Sequence, residues 1–156
     1  MTAGGAIAAL GTGVEPLWAA LVAGRSGLAP VTLFDPSRYA ARQAAEVRDV
    51  PVDPLGEVDE RAHRLALAAA GEALSGIDGA FAGHRAAIVA GTTLGGNLAY
   101  TDWLEGRGDG SHAALAAVTN LLAARHGVRG PSRTVSVACA SGTAAIGLGA
   151  QLIERG

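Results

Sequence analysis

The sequence contains a single cysteine, Cys139, which lies between an apolar run and a glycine-rich segment. Its neighbours are all small: Ala138, Ala140, Ser141 and Gly142. Small residues suit a sharp turn from a strand into a helix that projects a nucleophile into a cleft. At the start of a helix, free N–H groups and the helix dipole favour the thiolate. The residues alone leave two interpretations open, a buried cysteine that acts as a small hydrophobic residue and a reactive thiol, and periodicity does not decide between them.

The other candidates for chemistry are the four histidines, which are His63, His84, His112 and His126. None has the spacing of a metal ligand set, and one cysteine is too few for a tetrahedral zinc site or an intramolecular disulfide. His63 lies among alanines and leucines, where a helix-surface or core position is more typical than a ligand. His126 follows a predicted helix and is expected to cap its carbonyls. We therefore predict no metal site.

Composition limits the partners of the chain. The 156 residues have 12 basic residues, all arginine, and 14 acidic ones, for a net charge of -2. This balance provides no field that would gather nucleic acid or an anionic membrane. Hydrophobic residues at 49% and charged residues at 17% exclude a disordered chain. The sequence lacks lysine and therefore a P-loop, and Pro16 replaces the third glycine of a dinucleotide fingerprint begun by Gly11 and Gly13.

Two segments bear on localisation. The first ten residues have no basic flank before their apolar stretch, so they do not match a signal peptide, and we expect a cytoplasmic protein. Residues 134–153 carry no formal charge and match a membrane span in length alone. Their hydroxyls and glycines favour a buried strand followed by a buried helix.

The elements that must position Cys139 follow from local patterns. Residues 86–90 and 134–138 predict buried parallel strands, and the first is followed by Gly91-Thr-Thr-Leu-Gly-Gly96, at the strand end where α/β proteins bind ligands. Residues 140–154 predict a helix buried on most faces, because interior glycines cost about 1 kcal/mol each unless neighbours must approach closely. Further helices are predicted over 15–23, 60–74 and 113–125. Loops are predicted over 25–55, with at most one short strand near Val31, and over 100–112.

Several segments, in order, resemble the amino-terminal half of the elongating β-ketoacyl-acyl-carrier-protein synthases, of the thiolase-like superfamily. They are Gly5-Ala-Ile-Ala-Ala-Leu-Gly-Thr-Gly13 with Leu17-Trp18, Leu21-Val-Ala-Gly-Arg-Ser-Gly27, Gly91 to Gly96, Gly130-Pro-Ser132 and Val137-Ala-Cys-Ala-Ser-Gly-Thr143. The segment around Cys139 is the specific part. The resemblance implies an α/β, thiolase-like fold, as an incomplete amino-terminal half with helices layered around a mixed sheet and a buried central helix. Residues 1–156 would then be one partial ketosynthase amino-terminal domain.

The resemblance also implies roles for individual residues. Cys139 matches the nucleophile that takes an acyl chain from the phosphopantetheine of a carrier protein. Ala138 and Leu94 match residues of the acyl pocket, and Leu94 matches a bulky residue near the dimer interface. The implied partners are an acyl carrier protein and a ketosynthase-like chain in a homo- or hetero-oligomer. No cofactor is implied beyond the carrier's phosphopantetheine.

The family's two catalytic histidines belong to a carboxy-terminal half, and the sequence contains no match to them. Gly83-His84 matches one of them only as a dipeptide and does not take over its role. Transfer of an acyl group between thiols requires a nucleophile and an oxyanion donor, for which the N–H of Cys139 is a candidate. Decarboxylation of a malonyl thioester needs two neutral donors to the enolate. We therefore expect the isolated chain to be incompetent for condensation.

Two classes of function remain open at this stage. The first is a ketosynthase of fatty acid or polyketide synthesis, an acyltransferase present as a fragment or as one piece of a split enzyme. The alternative is a non-catalytic ketosynthase-like subunit that pairs with a complete ketosynthase. The presence of Cys139 favours the first class. Thiol-dependent hydrolysis is less favoured, because no histidine is placed as its base.

Overall fold

The fold is that of a computed structural model, which describes residues 3–56, 58–77 and 83–156. The chain divides into two compact units, the first formed by Met1–Val52 with Ala68–Ser75 and the second by Asp53–Leu67 with Gly76–Gly156. Both units contain helices and short strands, which confirms the α/β composition predicted from the sequence.

The first unit begins with a hairpin and a helix. Strands β1 (Ile7–Ala8) and β2 (Gly11–Thr12) pair antiparallel and lead into α1 (Val14–Val22). Pro16 occupies the first turn, where no N–H is needed, and Gly24 follows the helix with a φ of 64°. The prediction of a helix over 15–23 is thus confirmed to within one residue. Strands β3 (Ala29–Pro30) and β4 (Gln43–Ala44) form a second antiparallel pair, which includes the short strand predicted near Val31.

A glutamate holds this hairpin within the first unit. It lies on α2 (Arg61–Leu74), a helix that contributes residues to both units. The carboxylate of Glu72 accepts the N–H of Ala6 at 2.8 Å and that of Val14 at 2.7 Å, and these two bonds lower the pKa of Glu72. A Cβ on Gly5 would lie 1.9 Å from the carbonyl oxygen of Ala69, so only glycine permits this approach.

The second unit contains the strands predicted around Cys139. Strands β5 (Ile88–Gly91) and β6 (Ser132–Val135) pair parallel, with Ile88 opposite Ser132 and Gly91 opposite Val135. The helices of this unit are α3 (Asn97–Leu104), α4 (Ala117–Arg125) and α5 (Ser141–Glu154). Both α4 and α5 pack against β5 and β6. The parallel pair confirms the two predicted strands, although β6 ends at Val135 rather than at residue 138.

Two partly buried polar contacts stabilise the second unit. The guanidinium of Arg125 makes a bidentate ion pair with the carboxylate of Asp53, at 2.7 and 3.1 Å. The hydroxyls of Thr119 and Thr134 lie 2.6 Å apart and join α4 to β6. These contacts fix the elements that support the start of α5.

One predicted loop was wrong in part. Residues 97–104 form α3, although residues 100–112 were expected to lie in a loop. Gly96, with a φ of 82°, turns the chain into this helix, and the carboxylate of Glu60 accepts the N–H of Ala99 in its first turn at 2.8 Å. This acceptor comes from 39 residues away. The helix predicted from residue 113 begins four residues later, at Ala117.

The structure departs from two finer expectations about layering. The strands of the described residues form three separate two-stranded pairs rather than one mixed sheet. In α5 only Ser141 and Ala145 are buried, while Ile146 and Ile153 are 77% and 82% exposed. One face of α5 packs on the parallel strands and the opposite face contacts no other described element closely, so the expectation of burial on most faces is not met. No helix among the described residues has the length and hydropathy of a membrane span.

Candidate functional site: the cysteine elbow

Cys139 is exposed and lies in the turn that joins β6 to α5. The turn comprises residues 136–140, and α5 begins at Ser141. Ala138 has a φ of 52° and is the one non-glycine residue with a positive φ in the described part of the chain. A left-handed conformation costs an alanine about 1–2 kcal/mol. We call residues 137–141 the elbow, and its backbone strain is typical of a turn shaped for function.

Hydrogen bonds to one carbonyl hold the elbow. The hydroxyl of Ser141 donates to the carbonyl oxygen of Ala138 at 2.7 Å and accepts the N–H of Val137 at 2.9 Å. The backbone N–H of Ser141 donates to the same oxygen at 3.1 Å. Thr93, from the loop after β5, donates its hydroxyl to it at 2.9 Å. Three donors therefore converge on the carbonyl of Ala138.

The backbone amide of Cys139 differs from its neighbours. The N–H of Ala140 donates to Val137 and that of Ser141 to Ala138. Across the described residues, the N–H of Cys139 has no hydrogen-bond acceptor. An exposed thiol beside an unpaired N–H, at the start of a helix of 14 residues, is an arrangement that can receive a thioester carbonyl.

The glycine-rich loop after β5 lies against the start of α5. A Cβ on Gly91 would lie 2.3 Å from the carbonyl oxygen of Ser141 and 2.8 Å from the nitrogen of Gly142, so the strand end requires glycine. The hydroxyl of Thr92 accepts the N–H of Gly95 at 2.9 Å and shapes the loop. The structure thus brings the loop to the elbow, as the sequence predicted for a strand end near a site.

The two expected pocket residues lie on these segments. Ala138 is part of the elbow itself, immediately before Cys139. Leu94 follows Thr93 in the loop and is 68% exposed. Ala138 precedes the cysteine and Leu94 follows Thr93, which bonds to Ala138, and the role of both residues in an acyl pocket stays a prediction.

Sequence reasoning missed a pair of histidines. The Nδ1 atoms of His63 and His112 lie 3.2 Å apart, although 49 residues separate them in the sequence. His63 is fully buried, and its Nε2 has no partner among the described residues. Burial lowers the pKa of His63, the charge of His112 lowers it further, and the carboxylate of Glu60 opposes both. No local spacing signals this pair, because its members lie on α2 and in the loop before α4.

The remaining histidines also lie outside the elbow. His126 follows α4, where its backbone N–H, rather than its side chain, donates to Leu122. Its Nε2 is buried without a partner in the described residues, and burial lowers its pKa. The predicted side-chain cap is therefore not formed. No group of three or more metal-ligating side chains occurs in the part of the chain that the structure describes.

A broad groove of about 1120 Å³ lies between α5 and the segment 84–91 that contains β5. It begins at Gly142, three residues from Cys139, and includes Ala145, Ile146 and Gly149 of the helix. Small and apolar residues of α5 thus line this groove, and Val89 and Gly91 of β5 line it as well. His84, which shows no link to the elbow, lines the same groove.

The whole chain matches a family model. Residues 1–156 match the model described as "Beta-ketoacyl synthase, N-terminal domain". Among curated relatives, an actinorhodin polyketide putative beta-ketoacyl synthase 2 from Streptomyces coelicolor is 34% identical over 100% of this chain and 43% of its own length. The alpha subunit of the tetracenomycin polyketide ketoacyl synthase from Streptomyces glaucescens is 32% identical over 94% of this chain and 40% of its length. A 3-oxoacyl-[acyl-carrier-protein] synthase 2 from Coxiella burnetii is 27% identical over 97% and 41%.

Solved structures show the same relationship. The ishigamide ketosynthase/chain length factor superposes with a TM-score of 0.81 and 29% identity, covering 98% of this chain and 43% of that one. A ketosynthase in complex with its chain length factor, from Xenorhabdus doucetiae, gives a TM-score of 0.77 and 27% identity over 99% and 43%. The chain spans less than half the length of these relatives. Because the family model matches it throughout, the chain belongs to the beta-ketoacyl synthase family, whose N-terminal domain it represents.

Proposed function

We propose that Cys139 is the acyl-accepting nucleophile of a ketosynthase. The observation that carries the proposal is an exposed cysteine on a hydrogen-bonded elbow, in a chain that matches a ketosynthase N-terminal domain throughout. The thiolate of Cys139 attacks the carbonyl carbon of an acyl thioester, and the unpaired N–H of Cys139 donates to the developing oxyanion. The bond to the carrier's sulfur then breaks, and the departing thiolate takes up a proton. The acyl group remains on Cys139.

The second half of the reaction requires residues outside this elbow. Loss of carbon dioxide from a malonyl thioester leaves an enolate that needs hydrogen-bond donors, and it then attacks the acyl group on Cys139. In the described residues, the side-chain contacts of His63 and His112 are with each other and not with the elbow. We propose that the remainder of a ketosynthase, on the same or a separate chain, supplies these donors. The product class is a β-ketoacyl chain of fatty acid or polyketide synthesis.

The assembled enzyme would also account for the open side of α5. We propose that a ketosynthase-like surface covers the groove and the exposed Ile146 and Ile153, so that α5 becomes the buried central helix of a thiolase-like fold. Leu94 and Ala138 would line the acyl pocket, and an acyl carrier protein would deliver the substrate in the cytoplasm. Apolar surface of this kind is rarely left open by soluble monomers.

A second candidate is a non-catalytic subunit that pairs with a complete ketosynthase. Both superposed structures are ketosynthases described with a chain length factor, which favours a two-chain assembly. The two candidates differ in the fate of Cys139, because only the nucleophile must carry an acyl group.

The test is acyl transfer to the purified chain from a medium-chain acyl group on carrier-protein phosphopantetheine. Intact mass and peptide mapping should find one acyl group, on the peptide that contains Cys139. The Cys139→Ala chain should remain unmodified. If Cys139 stays unmodified after prolonged incubation while the chain keeps its folded spectrum, Cys139 is not the nucleophile. The non-catalytic partner subunit would then be the better account of the chain.

A further inference from the structure

The strained residue of the elbow is held by two side chains from different elements. Ser141 begins α5 and Thr93 lies in the loop after β5, yet both donate a hydroxyl to the carbonyl of Ala138. Ser141 is only 4% exposed, and its hydroxyl also accepts the N–H of Val137. An alanine with a φ of 52° persists where its surroundings determine its conformation, and these bonds do so here.

The carbonyl of Ala138 and the N–H of Cys139 belong to one planar peptide unit. Because the peptide bond resists rotation, holding the carbonyl also fixes the direction of that N–H and the position of the following Cα. Donors on a carbonyl polarise the peptide and strengthen the N–H of the same unit as a donor. Three donors meet this carbonyl, and the N–H of Cys139 has no acceptor among the described residues.

We propose that Ser141 and Thr93 are positioning residues for Cys139. Their hydroxyls fix and polarise the peptide unit that joins Ala138 to Cys139, and thereby set how the thiol and the N–H meet an incoming carbonyl. The inference rests on the proposed function for its effect on acyl transfer. The position of the thiol itself is testable with a small alkylating reagent that needs no carrier protein.

The experiment compares five variants of the full chain: Ser141→Ala, Thr93→Val, their double variant, Thr93→Ser and the control Thr143→Val. Thr143 is exposed on the same helix, and its hydroxyl makes no hydrogen bond in the described structure. The rate of iodoacetamide alkylation of Cys139 is measured from pH 6 to pH 9, with Tm measured in parallel. The pH range separates a change in nucleophile reactivity from a loss of stability.

Removal of either hydroxyl should slow alkylation at neutral pH about fivefold, the effect of one ordinary hydrogen bond. Thr93→Ser should keep the parent rate, because it keeps the hydroxyl, and Thr143→Val should not change it. The double variant Ser141→Ala/Thr93→Val should lose less than the product of the two effects, because both hydroxyls act on one carbonyl. All variants should react equally in urea.

Parent-like alkylation across the pH range in both Ser141→Ala and Thr93→Val would overturn the inference, even if Tm falls, because the hydroxyls would then be structural only. If Ser141→Ala does not fold, the comparison of Thr93→Val with Thr93→Ser decides by the same criterion. Slower alkylation in the variants together with no acyl transfer in the parent would support the positioning role and contradict the proposed function. The two failures are therefore distinguishable.

Discussion

The N-terminal end of α5 and its outer face differ in how many contacts the rest of this chain makes with them. At its N-terminal end, Ser141 is buried and hydrogen-bonded to Val137 and Ala138, and Gly91 lies directly against the first turn. Along its outer face, Ile146 and Ile153 are exposed and the helix glycines have open space around them. The difference teaches that the geometry around Cys139, the proposed nucleophile, is set by contacts within this chain. The outer face, which we propose a ketosynthase-like surface covers, is exposed in the described structure.

Loss of the nucleophile should have the largest effect on activity. Cys139→Ala should reduce acyl transfer by about a thousandfold or more, because no other thiol is present. Alanine is small enough for the exposed turn, so Tm should stay near that of the parent. Acyl transfer is measured by intact mass and Tm by circular dichroism. Residual acylation of the variant at the parent rate would place the nucleophile elsewhere.

A matched pair of glycine substitutions should change the free energy of unfolding in opposite directions, because one glycine packs against the start of α5 and the other has open space around it. In Gly91→Ala the new Cβ would meet the backbone of Ser141 and Gly142, so the free energy of unfolding should fall by about 3 kcal/mol or more. In Gly147→Ala the Cβ meets nothing within 4 Å, and the same substitution should raise it by up to about 1 kcal/mol. Urea unfolding measures both. Equal effects of the two substitutions would contradict the comparison.

A substitution on the outer face of α5 should weaken association with another chain rather than destabilise the fold. Ile146→Glu should weaken association of the chain, with itself or with a ketosynthase-like partner, by about tenfold or more, because a charge would enter an apolar contact. Gln151→Glu places a charge at an exposed polar position of the same helix and serves as the control. Sedimentation velocity measures association. If the parent chain is monomeric and binds no ketosynthase-like chain, the proposal that another surface covers the outer face of α5 is wrong.

Acid should lower the stability of the folded chain through its buried histidines. The pKa of His63 is lowered in the folded chain, so the unfolded chain binds the proton more readily. The resulting stability is fully present above the unfolded value of about 6.5 and is lost as the pH falls through the folded value. Urea unfolding between pH 7.5 and 5 should show this loss, and His63→Leu should reduce it. An unchanged pH dependence in that variant would assign the acid response to other groups.

Local patterns predicted four of the five helices and the parallel strands, but not α3, the hairpin of β1 and β2, or the contacts between elements. The helices beginning at Val14 and Arg61 follow from periodicity and caps, α5 follows from its uncharged run of small residues, and β5 and β6 follow from short apolar runs. The bond from Thr93 to Ala138 spans 45 residues and the contact of His63 with His112 spans 49, so no spacing signals them. The burial of α5 was overestimated because small residues indicate that close neighbours are possible without specifying which polypeptide supplies them.

The central claim is that this chain forms the elbow around Cys139 by itself but needs another polypeptide for condensation. Carbon dioxide release from a malonyl-carrier protein tests it most directly. The chain is first acylated on Cys139, and release is then followed with and without a complementary ketosynthase polypeptide that carries the family's histidines. We predict no release from the chain alone and release after the complement is added, with transfer of the acyl group from Cys139 to the β-ketoacyl product. Carbon dioxide release by the monomeric chain alone, at the rate seen with the complement, would contradict the account.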